Sequence, residues 1–466
     1  MLGMGNMRQW LMNISLVGGW FPAAAFAVIA VLSVTLLVSA AVSKRDGRIL
    51  ATVLPIGVEA VSGMVGYVVA WLLSDVFVVF GVGLGSRVMA WVAAGFAIAG
   101  FAIVHIVLSR GMMRVAAAIL TVFAILAAAI GIDQSYGEYA TIGSLFGEDS
   151  YSQADLTGLA KRKDLITVAQ WRKQAANGTI RNIPANGTVN KIDIPATKSQ
   201  FEARKALVYL PPAALADSKR KPALPVVLML SGQPGSPGRV FQAGGIQTMM
   251  DGYAKTHDGL APIVIAADQL GADSHNTLCV DSKVYGNALT YLTQDVVDWV
   301  KTNLPAAQDA KDWAIAGFSQ GATCSLQIGV NHPDLFGTMI PTDSEIKPTN
   351  GSRQEMIDRF FDGDTTAYEN QVPVNAIRNH APTHQMLIIG AGEKDTTSIR
   401  NVKTIAPVAA KAGMRVAAVE SSGNAHDWHA VQDVLRYGLA VFGHDTGLDG
   451  ANPNLSDYPN LKRITI

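Results

Sequence analysis

The first part of the chain, up to about residue 132, is apolar almost without interruption, whereas the rest alternates short apolar runs with polar segments. Four apolar stretches, at 18–42, 50–73, 88–108 and 115–132, approach or exceed the roughly 20 helical residues that cross a bilayer. A buried helix of a soluble protein rarely stays apolar on all faces for this length, and a cleavable signal peptide accounts for only one segment. The pattern predicts a four-helix transmembrane anchor over residues 1–132.

The loop charges between these stretches predict the orientation of the anchor. Lys44, Arg45 and Arg48 lie between the first two stretches, and Arg110 and Arg114 lie between the last two. Loops rich in lysine and arginine stay in the cytoplasm. We therefore expect a multi-pass protein of the cell membrane in which the N-terminus and all residues after 132 lie outside the cytoplasm.

From residue 189 onward, short apolar runs alternate with segments of helical character. The predicted strands are 189–194, 206–210, 226–230, 263–267, 312–316, 338–341, 386–389 and 415–419. Helices predicted between or after them include 294–302, 321–331, 399–412 and 428–442. This alternation is typical of an α/β fold with a mostly parallel, doubly wound sheet. We assign residues 189–466 to this domain and residues 133–188 to a connecting region.

Composition narrows the range of partners. The 37 Lys and Arg residues balance the 37 Asp and Glu residues, so no nucleic acid or other polyanion is indicated as a partner. Hydrophobic residues make up 49% of the chain and charged residues 16%. Because the apolar excess lies in the first 132 residues, it points to the lipid bilayer. Nothing in the sequence indicates an oligomeric state.

The chain has two cysteines, Cys279 in a loop and Cys324 in a predicted helix. Their number and spacing do not match a zinc site, and we predict no metal and no cofactor. In an oxidising compartment an isolated pair of cysteines favours a disulfide. We therefore favour a bond between Cys279 and Cys324 over the alternative of two separate thiols.

Residues 317–321 read Gly-Phe-Ser-Gln-Gly, which is a G-x-S-x-G motif. A strand-like run precedes the motif, and a helical segment of small residues follows it. In this context the glycines let strand and helix approach closely, while a strained backbone lifts the serine hydroxyl clear. We predict that Ser319 is a catalytic nucleophile.

A serine nucleophile needs a base to take its proton. In α/β-hydrolases the chain order is Ser, then Asp or Glu, then His. His426 lies in a turn after the last predicted strand and before the last predicted helix, where an imidazole can reach across the strand ends. We predict His426 as the base, with His429 as the alternative.

The acid that orients this base is expected in the turn after the strand 386–389. That turn carries Glu393 and Asp395, and we favour Asp395 because it stands at the end of the turn, just before a helix. Glu393 is the alternative acid. Asp343 and Glu345 follow the preceding predicted strand and are a third option.

Acyl transfer also needs an oxyanion hole, which is a pair of N–H donors for the developing negative charge. One donor is the backbone N–H of the residue after the nucleophile, here Gln320. The second donor is expected in the loop after the strand 226–230. Pro234 has no N–H, so we predict that Gln233 provides it.

Five stretches resemble the bacterial esterases of the esterase-D and antigen-85 mycolyltransferase group: 206–212, 228–232, 291–299, 317–321 and 426–428. A four-span anchor joined to such a domain is similar to membrane-bound esterases of actinobacteria. The resemblance implies an α/β-hydrolase fold with carboxylic-ester or acyl-transfer chemistry. It also implies the roles given above for Ser319, His426, Gln233 and Gln320. Antigen-85 proteins lack the anchor and carry their acid, a glutamate, within a helix, so the acid loop differs here.

These observations favour a serine esterase that acts on an ester or acyl-lipid substrate outside the membrane. An acyltransferase that moves the acyl group to a sugar hydroxyl is the first alternative, since it uses the same residues. An inactive hydrolase fold that serves as a membrane assembly or binding module is the second. A dehydrogenase is excluded, because no G-x-G-x-x-G opens the first strand–helix unit.

Overall fold

The computed structural model describes residues 2–42, 48–77, 83–149, 151–159, 164–180 and 182–466. Lys44 and Arg45, on which part of the orientation prediction depends, lie outside these residues. The chain divides into two compact units. The helical unit contains Met1–Glu148 together with the short segment Ala425–Asp427, and the sheet unit contains Asp149–Asn424 and Trp428–Ile466.

The described residues of the helical unit form six α-helices, of which the four longest correspond to the predicted spans. The helices are α1 (Leu2–Met12), α2 (Trp20–Ala41), α3 (Arg48–Trp71), α4 (Gly85–Leu108), α5 (Met112–Tyr136) and α6 (Ile142–Leu145), and a short π-helix, Leu72–Val76, extends α3. The segments Trp20–Ala41, Thr52–Val76, Gly85–Leu108 and Met112–Tyr136 are long and apolar enough to cross a membrane. The last of them extends four residues beyond the predicted end at residue 132.

Small residues allow close packing between these long helices. A Cβ at Gly66 of α3 would lie 2.7 Å from the Cβ of Phe96 on α4, and a Cβ at Gly95 would lie 2.8 Å from the Cβ of Ala128 on α5. Real Cβ contacts essentially never come so close, so a larger residue at either position would push two helices apart. Small residues at helix interfaces are typical of membrane bundles.

The sheet unit contains all thirteen strands described in the chain. They are β1 (Leu165–Ile166), β2 (Thr188–Ile192), β3 (Ala206–Leu210), β4 (Lys221–Pro222), β5 (Val226–Leu230), β6 (Ile263–Ala266), β7 (Asp281–Ser282), β8 (Gly286–Asn287), β9 (Trp313–Phe318), β10 (Thr338–Thr342), β11 (Met386–Gly392), β12 (Arg415–Ser421) and β13 (Leu461–Arg463). Nine of them form one sheet in the order β13-β12-β11-β10-β9-β5-β6-β3-β2. The six strands from β12 to β6 in this order run parallel, whereas β13 at one edge and β3 and β2 at the other pair antiparallel.

In the described part of this unit there are twelve α-helices. They are α7 (Val168–Ala176), α8 (Pro212–Leu215), α9 (Pro237–Ala243), α10 (Ile246–Lys255), α11 (Ala288–Thr290), α12 (Val296–Asn303), α13 (Gln320–Asn331), α14 (Arg353–Phe360), α15 (Thr365–Glu369), α16 (Pro373–Asn379), α17 (Thr396–Lys411) and α18 (Trp428–Asp445). The predicted connecting region, 133–188, is therefore shared between the units. Helix α5 runs into it from the helical unit, and β1 and α7 belong to the sheet unit.

Both faces of the large sheet are covered by helices. In β5, Val226, Leu228 and Leu230 point into one core, which also contains side chains of α12, α13, α16 and α17. Val227 and Met229 alternate with them and point into a second core, which contains side chains of α9, α10 and α18. Successive side chains of a strand face opposite sides of the sheet, so one apolar strand supplies both cores. The sheet unit has the predicted α/β-hydrolase fold.

Candidate active site

The centre of the candidate site is the sharp turn between β9 and α13. Ser319 stands at this turn with φ 55° and ψ −116°, a backbone conformation that a residue with a side chain rarely adopts and that costs on the order of 1–3 kcal/mol. Its N–H donates to the carbonyl oxygen of Thr342 on β10 at 3.0 Å. This conformation is expected of a serine that presents its hydroxyl between a strand and a helix.

Both glycines of the motif are required by close backbone contacts. A Cβ at Gly317 would overlap the carbonyl oxygen of Gly321, and a Cβ at Gly321 would overlap the carbonyl oxygen of Ser231. The first contact lets β9 and α13 meet at the turn. The second lets the end of β5 pass directly against the start of α13, and it thereby fixes where the loop after β5 begins.

The loop after β5 runs beside Ser319. A Cβ at Gly232 would lie 3.5 Å from the Cβ of Ser319, so this part of the loop is in van der Waals range of the predicted nucleophile. Gln233 follows at an exposed position. On the other side, Gln320 is the first residue of α13 and is buried. The N–H groups of a first helical turn have no acceptor within the helix, and they carry its positive dipole end.

Two carboxylates lie close together beyond the ends of β10 and β11. Asp343 is fully buried, and its Oδ1 accepts the N–H of Gly392 at 2.9 Å. Asp395 is 7% exposed and caps α17, since its Oδ1 accepts the N–H groups of Thr397 and Ser398 at 3.2 and 3.0 Å. One oxygen of each carboxylate lies within 4.8 Å of the other. Among the described residues of the sheet unit, these two carboxylates are near enough to each other to be ligands of one metal cation.

Glu393 and Glu345, the other predicted acids, have different surroundings. Glu393 is exposed, and its carboxylate accepts hydrogen bonds from Lys462 at 2.9 Å and from the N–H of Gly423 at 2.7 Å. The hydrogen bond from Lys462, followed by that from Gly423, lowers the pKa of Glu393. Glu345 is half-buried, and its N–H donates to Thr323 Oγ1 at 3.0 Å. Glu393 thus joins β13 and the loop after β12 to the loop after β11.

The loop between β12 and α18 carries His426, and residues on both sides of it are held in the sheet unit. The N–H of Lys394 donates to the carbonyl oxygen of Asn424 at 2.8 Å, and the ring of Trp428 lies 5.0 Å from the ring of Phe318. Adjacent Cα atoms are 3.8 Å apart, so the Cα of His426 lies within about 7.6 Å of those of Asn424 and Trp428. His426 therefore lies in the short connection between Asn424, which is hydrogen-bonded to the loop after β11, and Trp428, which packs on the residue before Ser319.

His429, the alternative base, is a half-buried residue in the first turn of α18. A side chain in a first helical turn is directed by the helix, whereas His426 lies in a loop that precedes it. The backbone of α18 thus sets the direction of the His429 side chain, whereas the loop before α18 sets that of His426.

Cys279 and Cys324 form a disulfide, and both residues are buried. The bond ties the loop after residue 277 to the second turn of α13, close to the start of the helix. The side-chain amide of Gln320 lies 3.7 Å from Cys279 Sγ. The disulfide thus packs against the side chain of the residue that follows Ser319.

Gln269 belongs to no motif in the sequence and was not predicted as a site residue, but the structure places it among these loops. It lies just beyond β6 and is fully buried, and it follows Asp268, whose carboxylate accepts hydrogen bonds from Arg204. The sequence could have indicated this residue, because Asp268 and Gln269 are two polar residues that follow an apolar core strand. Ligands of α/β sheets bind beyond the carboxyl ends of such strands.

This chain is similar in sequence to known proteins. A sequence model of the family described as "Putative esterase" matches residues 198–438, which is more than half of the chain. An uncharacterized protein of Corynebacterium glutamicum is 32% identical over 333 residues, which cover 70% of this chain and 74% of that protein.

Solved structures of similar proteins include an S-formylglutathione hydrolase from Agrobacterium tumefaciens, at 16% identity and a TM-score of 0.46, with 57% of this chain and 98% of that chain covered. A ferulic acid esterase from Anaeromyces mucronatus has 18% identity and a TM-score of 0.42, with coverages of 56% and 91%. MPT51 (FbpC1) of Mycobacterium tuberculosis has 13% identity and a TM-score of 0.40, with coverages of 55% and 98%.

Proposed function

Because the chain belongs to the esterase family, we propose that it is a membrane-anchored serine esterase that cleaves carboxylic esters outside the cytoplasm. The observation that carries this proposal is the strained backbone of Ser319, at φ 55° between β9 and α13, beside the loop after β5. A structural turn gains nothing from such strain, whereas a nucleophile gains an exposed hydroxyl.

In the proposed reaction, Ser319 Oγ attacks the carbonyl carbon of the ester while His426 takes the hydroxyl proton. The negative charge that develops on the carbonyl oxygen is stabilised by the backbone N–H groups of Gln320 and Gln233. When the tetrahedral intermediate collapses, His426 gives its proton to the leaving alcohol and an acyl group remains on Ser319. Water then attacks this acyl-enzyme with His426 again as the base, which releases the carboxylic acid.

We propose Asp395 as the acid that orients His426. The preceding residue, Lys394, donates a hydrogen bond to Asn424, which lies two residues before His426. The carboxylate of Asp395 is held by hydrogen bonds from the first N–H groups of α17. Asp343 shapes the same loop through the N–H of Gly392. Glu393 is engaged with Lys462 at the surface. These contacts favour Asp395 as the acid of the charge relay, whereas Asp343 and Glu393 hold the surrounding loops in place.

Replacing Asp395 by asparagine is expected to lower kcat by a factor on the order of 10⁴, as for the equivalent change in other serine hydrolases. Asp343→Asn is expected to cost less, and Glu393→Gln should leave kcat within about threefold, because removing an exposed charge pair has little effect. Steady-state hydrolysis of a p-nitrophenyl ester measures all three variants. A larger loss in Asp343→Asn than in Asp395→Asn would transfer the role of the acid to Asp343.

The membrane location is supported by the four helices long and apolar enough to cross a bilayer and by the basic loops between them. An anchor of this kind keeps the sheet unit beside its substrate, which we propose is an ester or acyl-lipid of the envelope. No metal or cofactor enters the proposed reaction.

Hydrolysis and acyl transfer differ only in the group that attacks the acyl-enzyme, so product analysis distinguishes them. We expect the purified full-length chain in detergent to release free carboxylic acid and p-nitrophenol in equal amounts, whether or not a disaccharide is added. Mass spectrometry of the products measures acyl-sugar, with Ser319→Ala as the background control. Acyl-sugar in excess of free acid would identify an acyltransferase, and turnover no higher than that of Ser319→Ala would indicate a binding module.

A further inference from the structure

Gln269 lies between the two backbone segments that carry the proposed oxyanion donors. The strands β9, β5 and β6 are adjacent and parallel, so the residues that follow them meet at one edge of the sheet. Gln269 follows β6 and is fully buried. Its Nε2 donates to the carbonyl oxygen of Ser231 at 2.7 Å and to Gln320 Oε1 at 3.2 Å. One side-chain amide therefore bonds both the loop after β5 and the first residue of α13.

Gln269 is itself held in place by its neighbours. Its backbone carbonyl oxygen accepts the hydroxyl of Thr277 at 2.7 Å, and the same hydroxyl oxygen accepts the N–H of Cys279 at 3.1 Å. Its side-chain amide is also within hydrogen-bond range of Ser231 Oγ, at 3.2 Å. These hydrogen bonds restrain the side chain of Gln269, so it can set the position of the groups it contacts.

The far side of Gln320 is held as well. Its Nε2 donates to Asn276 Oδ1 at 3.3 Å and lies 3.7 Å from the disulfide sulfur of Cys279. The side chain of Gln320 is thus fixed between Gln269 and the loop that the disulfide ties to α13. The hydrogen bond from Gln269 to the Ser231 carbonyl oxygen therefore sets the position of the loop after β5 relative to the side chain of Gln320.

We propose that Gln269 is a positioning residue that sets the separation between the two oxyanion donors, the N–H groups of Gln233 and Gln320. The inference rests on the proposed esterase function. Gln233 is two residues beyond Ser231, so a displacement of the Ser231 carbonyl moves its N–H relative to that of Gln320. Oxyanion stabilisation depends on donors within about 2.7–3.1 Å of the developing charge. A small displacement of either N–H group therefore reduces the stabilisation of the transition state more than it reduces the affinity for the substrate.

The chemistry of the site requires an amide at position 269. Both acceptors, the Ser231 carbonyl oxygen and Gln320 Oε1, need a donor, and a carboxamide supplies two N–H groups. Leucine fills a similar volume but leaves both buried acceptors without this donor. An ionised glutamate places a negative charge against two acceptor oxygens, whereas a protonated glutamate supplies one O–H donor. The kcat of Gln269→Glu, relative to that of the unchanged chain, is therefore expected to rise as the pH is lowered.

The test uses the full-length chain in detergent and a p-nitrophenyl ester. For Gln269→Leu we expect kcat to fall by about 10- to 100-fold, less than or comparable to the loss of a whole oxyanion donor, with KM changed by less than about threefold. The inhibition constant of a trifluoromethyl ketone, which binds serine as a tetrahedral oxyanion, should rise by the same factor as kcat/KM falls. For Gln269→Glu the ratio of its kcat to that of the unchanged chain should rise as the pH falls.

Gln385 provides a matched control. It is also a buried glutamine, and its Nε2 donates to the carbonyl oxygens of Gly329 and Phe336 at 2.7 and 2.6 Å, near the opposite end of α13. Gln385→Leu should lower the melting temperature as Gln269→Leu does, and it should retain kcat and ketone affinity. If Gln269→Leu keeps both properties as the control does, the positioning role is wrong.

If Gln269→Leu does not fold, the pH dependence of Gln269→Glu decides. A ratio of kcat values that is constant with pH would overturn the proposal. Failure of the underlying function is recognised separately, because the unchanged chain would then neither hydrolyse the ester nor bind the ketone, and the positioning role would fall with it.

Discussion

Ser319→Ala is expected to lower kcat for ester hydrolysis by a factor on the order of 10⁵ to 10⁶, which is the loss seen when the nucleophile of a serine hydrolase is removed. The alanine has no oxygen to form the acyl-enzyme, so any remaining rate comes from direct attack of water on the bound ester, whose developing oxyanion is still stabilised by the N–H donors. The variant should also lose all covalent labelling by a fluorescent fluorophosphonate. Steady-state kinetics and in-gel fluorescence of the labelled protein measure the two effects.

Ser325→Ala is the matched control for this variant. Ser325 is fully buried in the same helix, α13, and its hydroxyl donates to the carbonyl oxygen of Ala322 at 2.8 Å. Its loss costs about 1 kcal/mol of stability and should leave labelling and kcat unchanged. Labelling that persists in Ser319→Ala would remove Ser319 as the nucleophile.

The same labelling reaction tests the proposed side of the membrane. On intact cells, a charged phosphonate that does not cross membranes should label the chain as strongly as a permeant one, because the sheet unit is proposed to face outward. Both labels should be absent in Ser319→Ala. Labelling by the permeant probe alone would place the sheet unit in the cytoplasm and would contradict the orientation inferred from the loop charges.

His426→Ala is expected to have an effect of the same order as the loss of the serine, because without a base the hydroxyl of Ser319 is a weak nucleophile. His429→Ala should retain kcat within about threefold. The two positions lie three residues apart at the start of α18, so the pair of variants compares an imidazole in the loop with one in the helix. Steady-state kinetics of both variants, with and without added imidazole, measure the effect.

Added imidazole should restore part of the activity of His426→Ala, since a small free base can occupy the space that the side chain leaves. It should not change the activity of His429→Ala. If His429→Ala is the variant that loses activity and regains it with imidazole, the two histidines exchange roles.

The strands of the large sheet could be predicted because their pattern is local. All eight predicted strands occur in the structure, and β3 and β5 have the predicted bounds. The predicted ends of β9, β11 and β12 are two or three residues too early. The glycines of β9 and β11 and the polar end of β12 interrupt the apolar run, although the backbone pairing continues through these residues.

The antiparallel edge strand β13 was not predicted. It has only three residues, and two of them, Lys462 and Arg463, are exposed. Their pairing with Val419 and Glu420 of β12 is a contact between segments more than forty residues apart. Such a short run carries no periodicity of its own, so its strand conformation depends on the neighbour that it finds in the folded chain.

The sequence by itself determined the four apolar spans, the α/β alternation and the serine turn, because each depends on residues close together in the chain. A helix or strand shows its buried face in its own periodicity, and the turn shows its tight backbone in its glycines. The tertiary structure alone decided that Asp343 lies beside Asp395, that Glu393 pairs with Lys462, and that Gln269 bonds Ser231 and Gln320. These contacts join the ends of different strands, and their distances are set by strand order and packing, which sequence spacing does not contain.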